Sequence, residues 1–176
     1  MRDFFSTVRY RHSVRRYQEQ RPVEAEKLHA ILETAFAAPS AGDLQAWHVT
    51  VVEAEATRRE LAVIADGQDF IAEAPVCLVF CSDPQRSAQR YAERGAALYA
   101  LQDATIACAY AQLAVAAAGL GSTWVGYFDE DQVRNLLGLP EEMVPIAMLS
   151  VGYPAELPEE TPRRRLEEMV NWHDKD

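Results

Sequence analysis

Residues 91–118 read YAERGAALYALQDATIACAYAQLAVAAA, and Gly119 follows them. Alanine is the best helix former and glycine is a typical helix C-cap, so this stretch predicts the longest helix of the chain. Gln102, Asp103 and Gln112 argue against a membrane-spanning helix, because an aspartate near its centre costs about 2.5 kcal/mol or more. Small side chains allow close backbone approach, and the sequence leaves open whether this helix packs in the core or at a subunit interface.

The segments on either side show shorter periodic patterns. Apolar residues three and four apart predict a helix over 24–37, ended by Pro39 and Gly42. The apolar run introduced by Pro75 predicts a buried strand. Besides the long helix over 91–118, the predicted elements are helices over 3–10, 24–37, 58–64 and 131–137, strands over 47–53, 76–81, 124–128 and 144–151, a basic loop over 11–21 and an irregular tail from 154.

The composition is typical of a protein with one ordinary hydrophobic core. The chain has 176 residues, of which 49% are hydrophobic, and a single domain over residues 1–176 is the expected organisation. The 17 basic and 27 acidic side chains give a net charge of −10. This charge repels a nucleic-acid backbone and an anionic bilayer, so neither nucleic acid nor a membrane is the expected partner.

The basic residues are unevenly distributed. The first cluster consists of Arg2, Arg9, Arg11, Arg15, Arg16 and Arg21, and the second consists of Arg163, Arg164 and Arg165. Two arginine clusters near the ends of an acidic chain suggest a local binding site for an anion. Two solvated arginine-rich surfaces would produce the same pattern, and the charges alone do not separate these interpretations.

Three cysteines, Cys77, Cys81 and Cys108, occur in a chain without a secretory leader, which predicts a cytoplasmic protein. Cys77 and Cys81 lie in an apolar run, and their spacing on a strand would make both face the same side as small buried side chains. Neither a CxxC pair nor ligand-like histidine spacing accompanies them, so no metal site is predicted.

Several common catalytic motifs are missing from the sequence. Gly119, Gly121 and Gly126 lack the GxGxxG spacing, and they follow a helix and precede a strand, the reverse of the order in a dinucleotide-binding loop. The chain contains no GxSxG or HExxH motif, and its histidines are scattered. Rossmann, triad and zinc chemistry are therefore not expected.

Four other segments make chemical sense as a group. They are residues 11–17 (RHSVRRY), 38–47 (APSAGDLQAW), 119–129 (GLGSTWVGYFD) and 162–166 (PRRRL). The first can direct guanidinium and hydroxyl groups at a phosphate or a polar ring edge, and the second is a loop of small and amide-bearing residues. Each segment alone has an ordinary structural explanation, whereas the combination is hard to attribute to chance.

In order and approximate spacing, these segments resemble the nitroreductase family from about Phe4 to Leu166. The Arg-x-Ser-x-Arg element that begins at Arg11 and the Pro-Ser element that leads to Gln45 carry most of the resemblance. The resemblance implies an α+β fold with a mixed sheet flanked by helices. It also implies an intertwined homodimer with two FMN sites at the subunit interface.

The resemblance further implies which residues contact FMN. Those expected from one subunit are Arg11, His12, Ser13, Arg15, Gln68, Val125, Gly126, Tyr127, Arg163 and Arg165. Those expected from the partner chain are Pro39, Ser40, Asp43 and Gln45. Arg163 and Arg165 would join Arg11 at the phosphate, amides near Gly126 would face flavin N5, and Gln68 would lie at the pyrimidine edge.

The chemistry of FMN agrees with that placement. Its phosphate carries close to two negative charges, which arginines concentrated in an otherwise acidic chain can neutralise. A cation such as Arg15 beside flavin N1 would stabilise the reduced, anionic ring. His12, Asp43 and Ala46 depart from the family, which commonly has arginine, asparagine and proline there.

The resulting prediction is an FMN-dependent oxidoreductase. NAD(P)H would reduce the flavin and leave, and a small electrophile such as a nitroaromatic or a quinone would then take the electrons in a ping-pong mechanism. The cofactor carries the hydride, so no catalytic side chain is expected. Two alternatives stay open: a flavin reductase or dehydrogenase dedicated to one metabolite, and a flavin-binding or storage protein with little turnover.

Overall fold

The computed structural model describes residues 3–156 and 161–173. Arg2, a member of the first arginine cluster, lies outside them. The helices are α1 (Phe4–Tyr10), α2 (Ala25–Phe36), α3 (Glu55–Ile64), α4 (Phe70–Glu73), α5 (Pro84–Arg94), α6 (Ala100–Ala117) and α7 (Glu130–Leu137). The strands are β1 (Trp47–Val52), β2 (Val76–Ser82), β3 (Gly121–Val125) and β4 (Val144–Gly152). Short 3-10 turns occupy Ala41–Asp43 and Leu166–Glu168, and a π-helical turn occupies Gly95–Tyr99.

The strands form a sheet in the order β1-β2-β4-β3, in which each neighbouring pair is antiparallel. Gly121 at the start of β3 lies opposite Gly152 at the end of β4. Among the described residues, parallel pairing is limited to an isolated bridge between Ser13 and Ser122. The α+β fold is confirmed, whereas the named strands pair only in antiparallel orientation, so the expected mixed character is limited to this bridge.

Helices cover both faces of the sheet. One core joins α2 and α6 to the sheet, and the other joins α3, α4 and α7 to it. Leu78 and Phe80 of β2 face the first core, whereas Cys77 and Cys81 face the second. A strand that is buried on both faces needs apolar residues at every position, which explains the continuous apolar run in the sequence.

The three cysteines are buried and form no disulfide. Cys77 and Cys81 face the same side of β2, as their spacing predicts. Burial raises the pKa of both thiols to about 12, and it also raises the pKa of Cys108 on α6. Because the thiolate is the reactive form of cysteine, these side chains act as small core residues at neutral pH.

The prediction of one unbroken helix over 91–118 is wrong at its N-terminal end. The backbone breaks at Ala92, which has φ 48° and ψ −138°, and continues through the π-helical turn into α6. The turn that follows packs closely against α5, since a Cβ atom on Gly95 would lie 2.5 Å from the Ser87 carbonyl oxygen. A preceding helix, α5, begins after Asp83, whose side chain caps it.

The helix α6 packs in the core along one face. Its buried positions include Ala104, Ala107, Ala111 and Val115, which recur three and four residues apart. Tyr110 on the other side is exposed. Gly119 follows the helix with φ +77°, as expected for a C-terminal cap. None of the helices within 3–156 and 161–173 is both long and apolar enough to cross a membrane.

The other predicted helices and strands are present, but several of their first or last residues differ from the predicted ones. The helix predicted over 58–64 begins at Glu55, and the short helix α4 was not predicted. The strand predicted over 124–128 lies instead at Gly121–Val125, so the prediction was wrong for residues 126–128. This start depends on a distant residue, because a Cβ atom on Gly121 would lie 2.7 Å from the Val14 side chain.

Candidate functional site

The basic segment, residues 11–17, is attached to the start of β3. The Val14 backbone N–H donates to the Ser122 carbonyl oxygen at 3.0 Å. The Thr123 hydroxyl donates to the Val14 carbonyl oxygen at 2.6 Å. Val14 is buried against the sheet, whereas Arg15, the next residue, is exposed.

Tyr17 provides a second attachment for the same segment. Its hydroxyl donates to the Val14 carbonyl oxygen at 2.7 Å and lies 2.8 Å from the Ser150 hydroxyl. Burial raises the pKa of Tyr17, so the phenol stays protonated and serves as a structural donor. With Val14 and Tyr17 facing inward, the functional groups of His12, Ser13 and Arg15 are left for other contacts.

Arg11 and Arg163 of the C-terminal run are within electrostatic range of each other. Burial, followed by the positive charge of Arg163, lowers the pKa of Arg11. Arg164 instead forms an ion pair with Glu168 at 3.1 Å. Neither Arg163 nor Arg165 has a carboxylate partner in the described part of the chain. Within the described ranges, the positive charge of Arg163 and Arg165 is therefore not neutralised by a carboxylate.

The turn before α4 connects the basic segment to the end of β3. The guanidinium carbon of Arg15 lies 5.9 Å from the centroid of the Phe70 ring. The Gln68 amide donates to the Ala65 carbonyl oxygen at 2.8 Å and to the Tyr127 carbonyl oxygen at 3.4 Å. Arg15, Gln68 and Tyr127 consequently border one surface along the β3 edge.

The backbone after β3 is open at this surface. Val125 is buried in the sheet, whereas Gly126 is exposed and Tyr127 is 74% exposed. The nearest atoms to a Cβ on Gly126 would belong to Trp124 at 3.7 Å. The peptide groups around Gly126 can therefore be reached by a flat ligand.

The 39–46 loop holds the other predicted site residues in an unusual backbone conformation. Gly42, Asp43 and Gln45 have φ values of 59°, 57° and 50°. Left-handed conformations are unfavourable for residues with a side chain, except that aspartate and asparagine tolerate them better, and they persist only where the surroundings enforce them. The Gln45 N–H donates to the Ser40 hydroxyl oxygen at 2.9 Å and closes the loop on itself.

Asp103 enforces this conformation from inside the molecule. This carboxylate is 2% exposed and accepts hydrogen bonds from the Ala41 N–H at 2.9 Å and the Ala46 N–H at 3.4 Å. The two amides lie at opposite ends of the loop. From the sequence, Asp103 was used only to argue against a membrane-spanning helix. The signal for its role as an acceptor for loop amides was its position as an acidic residue within a run of alanines.

Two arginines of α5 hold the loop from outside. The Arg86 guanidinium donates to the Leu44 carbonyl oxygen, and the Arg90 guanidinium donates to the Gly42 carbonyl oxygen at 3.2 Å. The backbone at Gly42 favours glycine because of its positive φ of 59°, and a Cβ atom there would also lie 2.9 Å from the Arg90 guanidinium. The helix α5 and its arginines were not predicted from the sequence.

The two groups of predicted residues lie at opposite edges of the sheet. The 39–46 loop leads into β1, and the other group borders β3, which is the edge strand on the far side. Neighbouring strands are about 4.8 Å apart, so three strand spacings separate the groups by roughly 14 Å. One chain thus brings together Arg11, Arg15, Gln68, Gly126 and Arg163 but leaves Pro39, Ser40, Asp43 and Gln45 elsewhere.

Two cavities lie on the exposed side of α6. The first, of about 610 Å³, is bordered by Pro39, Ser40 and Ala41 of the loop and by Tyr99 and Asp103. The second, of about 620 Å³, lies between α1, α2 and α6 and is lined mainly by apolar side chains.

The chain matches the profile of the Nitroreductase family over residues 8–68 and 65–153. An NADH dehydrogenase from Thermus thermophilus is 37% identical over 189 residues, covering 92% of each chain. An oxygen-insensitive NADPH nitroreductase from Salmonella typhimurium is 30% identical over 166 residues, covering 90% of this chain and 69% of that protein.

A solved structure shows the same fold. The NADPH:FMN oxidoreductase from Vibrio harveyi, complexed with NAD+, superimposes with a TM-score of 0.88 at 28% identity, covering 98% of this chain and 78% of that chain. The residues matched by the family profile include the basic segment, the 39–46 loop and β3, whereas Arg163 and Arg165 lie beyond them.

Proposed function

Because the chain belongs to the nitroreductase family, we propose that it is an FMN-dependent oxidoreductase that uses NAD(P)H to reduce a small electrophile. The observation that carries the proposal is the set of groups along the β3 edge: Arg15 lies over the Phe70 ring, Gln68 donates to the Tyr127 carbonyl oxygen, and the pKa of Arg11 is lowered by burial and then by the charge of Arg163. Repulsion between Arg11 and Arg163 is relieved when an anion binds near both. A phosphate with nearly two negative charges is a suitable partner for such a pair.

The residues present fit FMN. Arg11, Arg163 and Arg165 would hold the phosphate, and Arg15, Gln68 and the open backbone near Gly126 would border the ring. When bound, FMN supplies the carrier that accepts a hydride from one substrate and passes electrons to another. Arg15 would place positive charge where the reduced ring becomes negative, which favours reduction.

A homodimer is part of the proposal, because the two groups of site residues lie at opposite edges of one chain. In a dimer, the 39–46 loop of one copy can complete the site on the β3 edge of the other. Exposed apolar groups support an interface of this kind: Phe4 at the second cavity is 65% exposed, and Trp172 near the C-terminus is 81% exposed. The Phe4 ring also contacts the exposed Phe5 ring, and contiguous exposed apolar surface marks interaction sites.

The proposed reaction is ping-pong, with NAD(P)H and a nitroaromatic or quinone taking turns at the same open face. We assign the activity to a single domain over residues 1–176 and to the cytoplasm. The cofactor carries the hydride, so the proposal requires no side chain as a general acid or base.

The visible spectrum of the purified protein tests the proposal first. We expect a flavin spectrum, FMN as the released cofactor, and a dimer by analytical ultracentrifugation. Steady-state oxidation of NADH and NADPH with a quinone follows. A colourless monomer that takes up no FMN would contradict the proposal, and a yellow protein that oxidises neither nucleotide would be a flavin-binding or storage protein.

A further inference from the structure

Two arginines and two tyrosines form a compact group where α5 meets the π-helical turn. The Tyr91 and Tyr99 rings are in edge contact, with centroids 5.1 Å apart and an interplanar angle of 86°. Arg90 lies 5.4 Å from the Tyr91 ring, and Arg94 lies 5.5 Å from the Tyr99 ring. The Arg94 Nε–H also donates to the Tyr99 hydroxyl oxygen at 3.0 Å. The irregular backbone at Ala92 brings the two pairs together.

The charges of this group are unneutralised. Within the described ranges 3–156 and 161–173, neither Arg90 nor Arg94 has a carboxylate oxygen within 4.0 Å, whereas Arg59 and Arg164 each have one. A guanidinium has five N–H donors, and the contacts above use one on each arginine. The remaining donors face solvent. The chain has a net charge of −10, so the lack of a carboxylate beside these two arginines is not due to a shortage of acidic residues.

The group adjoins the loop that is proposed to reach the flavin. Arg90 donates to the Gly42 carbonyl oxygen, and the Tyr91 hydroxyl packs against Gly42. Tyr99 lines the cavity that Pro39 and Ser40 border. A ligand whose reactive end lies at the flavin can therefore extend across the loop onto this surface.

We propose that Arg90, Arg94, Tyr91 and Tyr99 bind the adenosine pyrophosphate end of NAD(P)H. The arginines would bind the phosphate oxygens, for which the planar guanidinium is well suited, and the tyrosine rings would pack against adenine. This inference rests on the proposed NAD(P)H oxidation. It assigns binding of the reductant to the subunit that supplies the 39–46 loop.

Arg94→Gln is the decisive variant, because Arg94 contacts no residue of the loop. Stopped-flow reduction of the FMN-loaded dimer gives the dissociation constants of NADH, NADPH and reduced nicotinamide mononucleotide. We expect Arg94→Gln to weaken both dinucleotides about tenfold or more, as for loss of a charge-assisted contact, and to leave the mononucleotide unchanged. The limiting rate of flavin reduction and FMN affinity should also stay unchanged.

Arg59→Gln is the matched control, since it removes one exposed arginine from α3, on the opposite face of the sheet. It should leave all three dissociation constants unchanged. Tyr99→Leu tests the ring contribution and should also weaken only the dinucleotides.

Three results would overturn the inference. The first is unchanged binding of both dinucleotides by Arg94→Gln, and the second is an equal loss of affinity for the mononucleotide. The third is weaker FMN binding, which would mean that Arg94 binds the flavin phosphate. A parent protein that oxidises neither NADH nor NADPH would overturn the proposed function as well. A parent that turns over normally while Arg94→Gln has no effect would overturn this inference alone.

Discussion

The basic segment and the 39–46 loop are both irregular and both carry predicted site residues, but the fold holds them in different ways. The basic segment pairs with β3, and the Val14 carbonyl oxygen accepts from two hydroxyls, those of Tyr17 and Thr123. The loop is held from outside by Arg86 and Arg90, which are exposed, but inside the molecule the amides of Ala41 and Ala46 share one buried acceptor, Asp103. We expect the paired hydroxyls of the basic segment to compensate for each other, whereas no second buried acceptor can replace Asp103 in the described part of the chain.

The largest effect is expected at Asp103. Asp103→Ala leaves the Ala41 and Ala46 amides without their acceptor, and an unsatisfied buried group costs about 1–3 kcal/mol. We expect the free energy of unfolding to fall by roughly 2–5 kcal/mol, measured by urea denaturation of the FMN-loaded protein. Gln102→Ala, at the exposed neighbouring position, should change it by less than about 0.5 kcal/mol. Equal small effects would show that the loop holds its conformation without Asp103.

The second prediction concerns the arginine run 163–165, which is proposed to bind the FMN phosphate together with Arg11 of the basic segment. Arg163→Ala and Arg165→Ala should each weaken FMN binding by about 1.5–3 kcal/mol, or roughly tenfold to a hundredfold. Arg164→Ala should have a smaller effect, because Arg164 is paired with Glu168. Flavin titration of the apoprotein measures all three. Three equal, small losses would identify the run as a solvated surface.

Tyr17→Phe tests whether the basic segment stays in place when the Val14 carbonyl oxygen loses one of its two hydroxyl donors. We expect a loss of about 1 kcal/mol in the free energy of unfolding, since the Val14 carbonyl oxygen keeps the Thr123 hydroxyl and Ser150 keeps a bond to the Thr123 N–H at 3.3 Å. Urea denaturation of parent and variant decides the point. A loss as large as that of Asp103→Ala would remove the contrast between the two regions.

The smallest effect is expected at Asp43, the loop residue that departs from the family. With the exposed carboxylate roughly 8 Å from the flavin and an effective dielectric constant of about 40, Coulomb's law gives on the order of 1 kcal/mol between its charge and that of the reduced ring. Asp43→Asn should therefore raise the two-electron flavin potential by about 20 mV at neutral pH, measured against a reference dye. Asparagine also tolerates the left-handed backbone, so the fold should be retained. A lowered potential would contradict the assignment of Asp43 to the flavin environment.

Local patterns in the sequence predicted most of the elements. The buried strand β2, the helix α2 and the glycine cap after α6 depend on residues a few positions apart, and all were predicted from spacing and composition. The break at Ala92 could not be predicted in this way, because alanine is a strong helix former and the neighbouring residues give no local signal for a break. The start of β3 was missed for a similar reason, since it depends on Val14.

The amino-acid sequence alone determined which residue types could bind an anionic flavin, and their order along the chain was enough to indicate the family. Only the tertiary structure decided how they are grouped. It places Arg163 beside Arg11, closes the 39–46 loop on Asp103, and separates that loop from the β3 edge by the width of the sheet. Helix and strand signals arise from neighbouring residues, whereas these groupings depend on strand order and on packing between distant segments, which no local pattern records.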